Sequence, residues 1–326
     1  MISKIKKILN KKNKSKIICL TSYSKNVAEA IDPYTDIILV GDSLGSVLYN
    51  YTTTRKVTLE QMIEHSKSAR LGIKKSLMVV DMPYKTYSNK RIALKNAKRI
   101  MNETKCDALK IEGGSSVIQI VEHLIKNKVP LMGHLGLLPQ SVKGKFKVKG
   151  KKIHERNKIF NDAKLLQDKG AFSIVLECIE TTLSKHITKS LKIPTIGIGS
   201  SVNCDGQVLV IDDLIGLNES KTKFLNVNET TINTYGAVSY ETVEQMLVGL
   251  CKQETSKTLA VAISGVAGPS GSESKPVGLV FIGVKLSYCG TEKIAQLNFG
   301  EIERHKIQQK SVHKALKMGL DILGST

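Results

Sequence analysis

Tryptophan is absent from the 326 residues, and aromatic residues make up only 5% of them. So few rings leave little from which to build a stacking platform for nucleobases, and no basic run is interleaved with aromatics. Long hydrophobic runs are missing too: none approaches the roughly 18 residues that a membrane span requires. The opening, MISKIKKILNKKNKSK, lacks the apolar stretch of a secretory signal, and it is rich in Lys and Asn where transit peptides favour Arg and Ser. It predicts a surface helix with a lysine-rich tip. The six cysteines, at 19, 106, 178, 204, 251 and 289, form no C-x-x-C pair and follow no regular spacing. That argues against a disulfide or zinc framework and for free thiols in a reducing, cytoplasmic setting.

Positive charge, by contrast, is plentiful, with a net balance of +20. It is unevenly spread. Residues 1–217 carry 37 Lys and Arg against 19 Asp and Glu, whereas residues 218–326 carry 12 against 10. The lysines are scattered singly along helical stretches, which suits solvated faces and attraction for anionic small molecules better than nucleic acid. The compositional step marks a boundary near residue 217, and a chain of this length suits one large and one small domain.

Within the first part, eight short apolar runs alternate with amphipathic segments. They are IICLTSY (17–23), DIILVGD (36–42), SLMVVDM (76–82), ALKIEGG (108–114), PLMGHLG (130–136), SIVLECI (173–179), PTIGIGS (194–200) and GQVLVID (206–212). Nearly continuous Val, Ile and Leu is the mark of parallel strands covered on both faces. Helical spacing appears between them, as in 58–72 and 89–103. The pattern predicts an α/β chain with a (βα)8 TIM barrel over 1–217, ahead of an open doubly wound sheet. Between the last two runs there is room for only a short loop. After 217 the order becomes a helix (239–253), strands (258–264, 277–286 and 293–299) and a helix (302–322), a smaller, incomplete α+β domain over 218–326.

The polar residues at the ends of the apolar runs carry the chemistry. Asp42 and Ser43 close the second, Asp81 the third, Lys110 and Glu112 the fourth, His134 the fifth and Glu177 the sixth. In a barrel these ends share one mouth. Asp42, Asp81 and Glu112 are hard oxygen donors, which suits Mg2+ and excludes structural zinc. A 2-oxo acid chelates such an ion through its carboxylate and keto oxygens, and the ion then acts as a Lewis acid. Lys110 and His134 are placed to balance negative charge. Glu177 closes an apolar strand, where burial of an ionised carboxylate is costly. It is the expected proton acceptor.

These residues lie in VGDSLG, DMPY, KIEGG, GHLGLLPQSV, GKFKVKGK, LECI, IPTIGIG and DGQVLVIDDLIGL. In order and separation these motifs resemble the ketopantoate hydroxymethyltransferase family over roughly residues 5–217. The resemblance implies a cytoplasmic, decameric (βα)8 enzyme of pantothenate biosynthesis. Such an enzyme moves a hydroxymethyl group from 5,10-methylenetetrahydrofolate to 3-methyl-2-oxobutanoate, giving 2-dehydropantoate. It further implies that Asp42 and Asp81 are Mg2+ ligands, that Glu112 is a third acid on the metal's water shell, and that Ser43 and Lys110, with His134 nearby, contact substrate. Glu177 is then the base. After 217 the family's phenylalanine-rich turn and closing helices do not follow. Instead, SGVAGPSGSESKPVGLVFI and FGEIERHKIQQKSVHKAL resemble the C-terminal two-thirds of a CinA-type nicotinamide-nucleotide amidase domain. The portion holding that family's E-S-C-T-G-G nucleophile motif is absent. Of its Tyr-x-Asn-x-x-Lys motif, Asn218 and Lys221 match, whereas Gly216 stands in place of the tyrosine. The glycine-rich stretch from Gly265 to Gly271 suits either a phosphate cradle or a tight turn.

Overall fold

The computed structural model describes residues 2–141, 147–214, 227–252, 258–268, 270–271 and 275–324. Gly216, Asn218 and Lys221, and part of the basic glycine loop, lie outside the described residues. The chain divides into two compact units, Met1–Asn218 and Glu219–Thr326.

In the first unit every one of the eight apolar runs forms a strand: β1 Ile17–Thr21, β2 Ile37–Val40, β3 Leu77–Asp81, β4 Ala108–Glu112, β5 Leu131–Gly136, β6 Ser173–Glu177, β7 Thr195–Ile198 and β8 Gly206–Leu209. They pair in sequence order and close into a barrel, β8 returning to β1 with Ile17 opposite Gly206. The open doubly wound sheet is thereby excluded. Helices between strands cover the outside. One runs Leu59–Gly72 behind a capping box in which Thr58 and Gln61 satisfy each other's backbone N–H groups. Another runs Lys90–Thr104, with Asn89 accepting from the N–H of Ile92. After β8 only a short helix, Ile211–Leu214, is described, and the outward-facing Ile18 and Leu209 stay 50% and 46% exposed.

Alternation along each strand divides the core in two. Outward residues such as Ile38, Val40, Met78, Val80, Leu109 and Ile174 pack under the helices. Inward residues fill the barrel floor, where Ile17, Ile37, Leu77, Val79, Met132, Val175 and Ile196 form one cluster. The floor is capped by the N-terminal helix Ile2–Asn10, whose Ile5 and Ile8 pack onto this same cluster. The lysines on it and in the turn after it differ from the expected solvated tip. Lys4, Lys11 and Lys12 pair with Asp107, Asp36 and Asp205. Those aspartates precede β4, β2 and β8, and each also accepts a backbone N–H from a neighbouring strand: Met78, Ile18 and Thr195 respectively.

The second unit is an antiparallel sheet in the order β11-β10-β9, with β9 Leu259–Gly265, β10 Leu279–Leu286 and β11 Glu292–Asn298. Val243 and Leu247 of the helix Tyr240–Lys252 pack on Ala260, Ala262 and Phe281. Ile307, Ala315, Met318 and Ile322 of the helix Arg304–Gly324 pack with Val280, Ile282 and Val284. Alternate residues of β10 thus serve two cores.

Candidate active site

The inward positions explain why polar residues gather at one end. Along β3 they run Leu77, Val79, Asp81; along β4, Ala108, Lys110, Glu112; along β5, Met132, His134; along β6, Ser173, Val175, Glu177. Each series starts in the floor and ends polar at the mouth. Register then sets neighbours side by side, with Asp81 opposite Lys110 and Glu112 opposite His134.

At the centre, Lys110 Nζ lies 3.0 Å from Asp81 Oδ1 and 3.2 Å from His134 Nδ1. An ammonium only donates, so Nδ1 is the acceptor and the imidazole proton sits on Nε2. That Nε2 is 3.1 Å from Glu177 Oε2. Burial, followed by the Lys110 charge, lowers the His134 pKa and keeps the ring neutral. Burial opposes charge on Lys110 as well, but Asp81, Glu112 and Asp42 outweigh it and raise its pKa. The strands β5 and β6 are pressed together here. Gly136 has φ 96°, and a Cβ on it would stand 2.2 Å from the carbonyl oxygen of Glu177.

Asp42 lies just past β2, its backbone N–H donating to Asp81 Oδ2 at 3.1 Å. Burial, then the Asp81 charge, pushes the Asp42 carboxyl up to about 7. Burial raises Glu112 well above the usual carboxylate range. Ser43 is half-buried beside Asp42, with its hydroxyl 2.8 Å from that of the buried Tyr23. All seven residues expected from the sequence therefore stand at one mouth, and Glu177 is its most open carboxylate, its side chain 17% exposed.

These acids suit a divalent cation. Asp42, Asp81 and Glu112 are all buried; Glu112 Oε1 makes no hydrogen bond, and Asp81 Oδ1 is met only by its ion pair with Lys110. Among the described residues one ammonium, that of Lys110, faces them, which leaves negative charge undercompensated in a dry setting. Among the described residues no three His, Cys, Asp or Glu side chains form a ready-made metal cage. Glu112 instead turns one oxygen, Oε2, to the backbone N–H of Gln140. The arrangement matches an ion held by one or two carboxylates, with water and substrate completing its shell.

The ketopantoate hydroxymethyltransferase family model matches residues 2–242. A 3-methyl-2-oxobutanoate hydroxymethyltransferase of Pelagibacter ubique is 66% identical over 223 residues, covering 68% of this chain and 86% of the relative. The chain belongs to the ketopantoate hydroxymethyltransferase family. A second relative of that name, from Anaplasma marginale, is 44% identical over 227 residues, covering 69% of this chain and 82% of its own length. The CinA C-terminal domain model matches residues 217–323, so both family models claim residues 217–242. Among solved structures, 2,3-dimethylmalate lyase, a PEP mutase/isocitrate lyase superfamily member, aligns at TM-score 0.53 and 10% identity over 77% of this chain and 91% of its own. That likeness shows the barrel fold alone.

Two residues at the mouth escaped the strand-end reading. Gln140 is buried 2% exposed in the loop after β5, and Tyr87 lies in the loop after β3. Gln140 stood inside a quoted motif, but an amide in a loop carries no charge pattern that marks it.

Proposed function

We propose that the chain transfers a hydroxymethyl group from 5,10-methylenetetrahydrofolate to 3-methyl-2-oxobutanoate, giving 2-dehydropantoate. The observation that carries this reading is the convergence of Asp42, Asp81, Glu112 and Glu177 from separate strands around Lys110 and His134. Asp42 and Asp81 would hold Mg2+, with Glu112 on its water shell. When bound, the ion supplies Lewis-acid stabilisation of negative charge on the 2-oxo acid.

The chain's own residues do the rest. Glu177 takes the proton from C3 of the substrate, and the His134 Nε2–H steadies the carboxylate that receives it. Lys110 and Ser43 contact the substrate, Lys110 offsetting negative charge as it builds on the oxo acid. C3 then bonds to the one-carbon unit, whose two bonds to the folate nitrogens break; water supplies the hydroxyl, and its remaining proton and the one taken by Glu177 end on those two nitrogens. The same reading carries a cytoplasmic homo-oligomer with it. Purified protein incubated with methylenetetrahydrofolate, the oxo acid and Mg2+ is expected to yield 2-dehydropantoate. Folded protein that makes none defeats the proposal, and so does a chain that only aggregates.

A further inference from the structure

Gln140 connects more of the mouth than any residue chosen from the sequence. Its backbone N–H donates to Glu112 Oε2 at 3.1 Å. Its side-chain Nε2 donates to Asp42 Oδ2 at 2.8 Å and to the carbonyl of Met82 at 3.0 Å. Its Oε1 accepts from the Tyr87 hydroxyl at 2.5 Å. The Met82 carbonyl can only accept, so the amide orientation is fixed by its partners: nitrogen towards Asp42, oxygen towards Tyr87. Both side-chain N–H groups and the carbonyl are used, and the residue is 2% exposed.

An amide so saturated has one available orientation, and that orientation fixes one oxygen of Asp42. Through its backbone the same residue fixes one oxygen of Glu112. Met82 follows Asp81 directly, so Gln140 spans the ends of β2, β3 and β4 from the loop after β5. We infer that Gln140, held by Tyr87, is a positioning residue for the divalent cation: it sets the orientation of the Asp42 and Glu112 carboxylates that face the ion. This rests on the proposed function, and its chemistry is that of outer-shell partners, which orient ligands without touching the metal.

The test is Mg2+ binding to the substrate-free protein, measured by titration calorimetry. Gln140→Met keeps the length of the side chain and removes the amide. It is expected to weaken Mg2+ binding about 10- to 100-fold, the range typical for loss of an outer-shell partner. Turnover should recover as Mg2+ is raised, a response that a merely structural defect lacks. Should Gln140→Met not fold, Tyr87→Phe carries the test. It leaves the amide in place but frees its carbonyl, so binding should weaken by a smaller factor. A folded variant that binds Mg2+ within about twofold of the wild type, or whose activity loss is the same at every Mg2+ concentration, overturns the inference. Failure of the wild type to bind Mg2+ would instead defeat the proposed function, and this inference with it.

Discussion

His134 and Glu177 meet at the ends of β5 and β6, with Nε2 3.1 Å from Oε2, and Lys110 on the far side of the ring dictates which nitrogen carries the proton. The imidazole is thus a fixed, neutral ring with its N–H beside the carboxylate. Nε2 stands there without hydrogen-bond alignment. On the proposed mechanism the bond tightens once substrate is engaged, and replacing the ring by Phe removes that donor, a loss of roughly 1.5–3 kcal/mol. Turnover of His134→Phe should fall by about 10- to 150-fold, while His134→Asn, which keeps a donor, should lose less. Steady-state kinetics check this. A Phe variant with the wild-type rate would exclude the role.

Asp42 makes the metal-free protein sensitive to pH. Its folded-state pKa, about 7, lies above the ordinary 3.8, so the folded chain binds this proton more tightly than the unfolded chain does. The stability it contributes is present below the ordinary value and is lost as pH rises through about 7. Without Mg2+, the wild type should therefore lose melting temperature between pH 5 and 8 relative to Asp42→Asn. Since the cation competes with that proton, Mg2+ affinity should weaken towards about tenfold per unit as pH falls below 7. Calorimetry at pH 6 and pH 8 measures it, and equal affinities would contradict the assignment.

The Lys12–Asp205 pair clasps the N-terminal helix to the barrel floor. The two side chains are 8% and 6% exposed, 2.7 Å apart, and Lys12 also donates to the Thr188 carbonyl. Removing one partner strands the other charge in a dry site, a loss of about 3 kcal/mol or more. Lys12→Ala should lower the melting temperature by several degrees. Lys11→Ala should do less, because the Lys11–Asp36 pair is 33% and 21% exposed. The reverse ranking would show that the floor is held by other means.

The second unit should hydrolyse no pyridine-nucleotide amide, since its sequence holds no E-S-C-T-G-G motif to supply the nucleophile. Nicotinamide mononucleotide incubated with the full chain is expected to release no ammonia above the blank. Release that follows the protein through purification would overturn this.

The barrel was legible because burial on both faces forces continuous apolar runs, and all eight became strands. The grouping of the candidate site was legible because polar residues near the ends of such runs share one mouth of a barrel, and Asp81, Lys110, Glu112, His134 and Glu177 are neighbours there. Two things were hidden. The lysines of the first helix and the turn after it look solvated in the sequence, since Asp36, Asp107 and Asp205 lie far along the chain and only barrel closure brings them to that end. Gln140 reaches Asp42 across 98 residues, a contact that no local pattern of spacing or charge records. Tertiary hydrogen bonds made by neutral amides leave no periodic trace.

The most direct test of the account follows deuterium uptake at C3 of 3-methyl-2-oxobutanoate in heavy water with Mg2+ and no folate, comparing wild type with Glu177→Gln. Exchange by the wild type is expected, with a loss on the order of 100- to 10,000-fold in the variant and substrate binding retained. Exchange that persists in Glu177→Gln would contradict it.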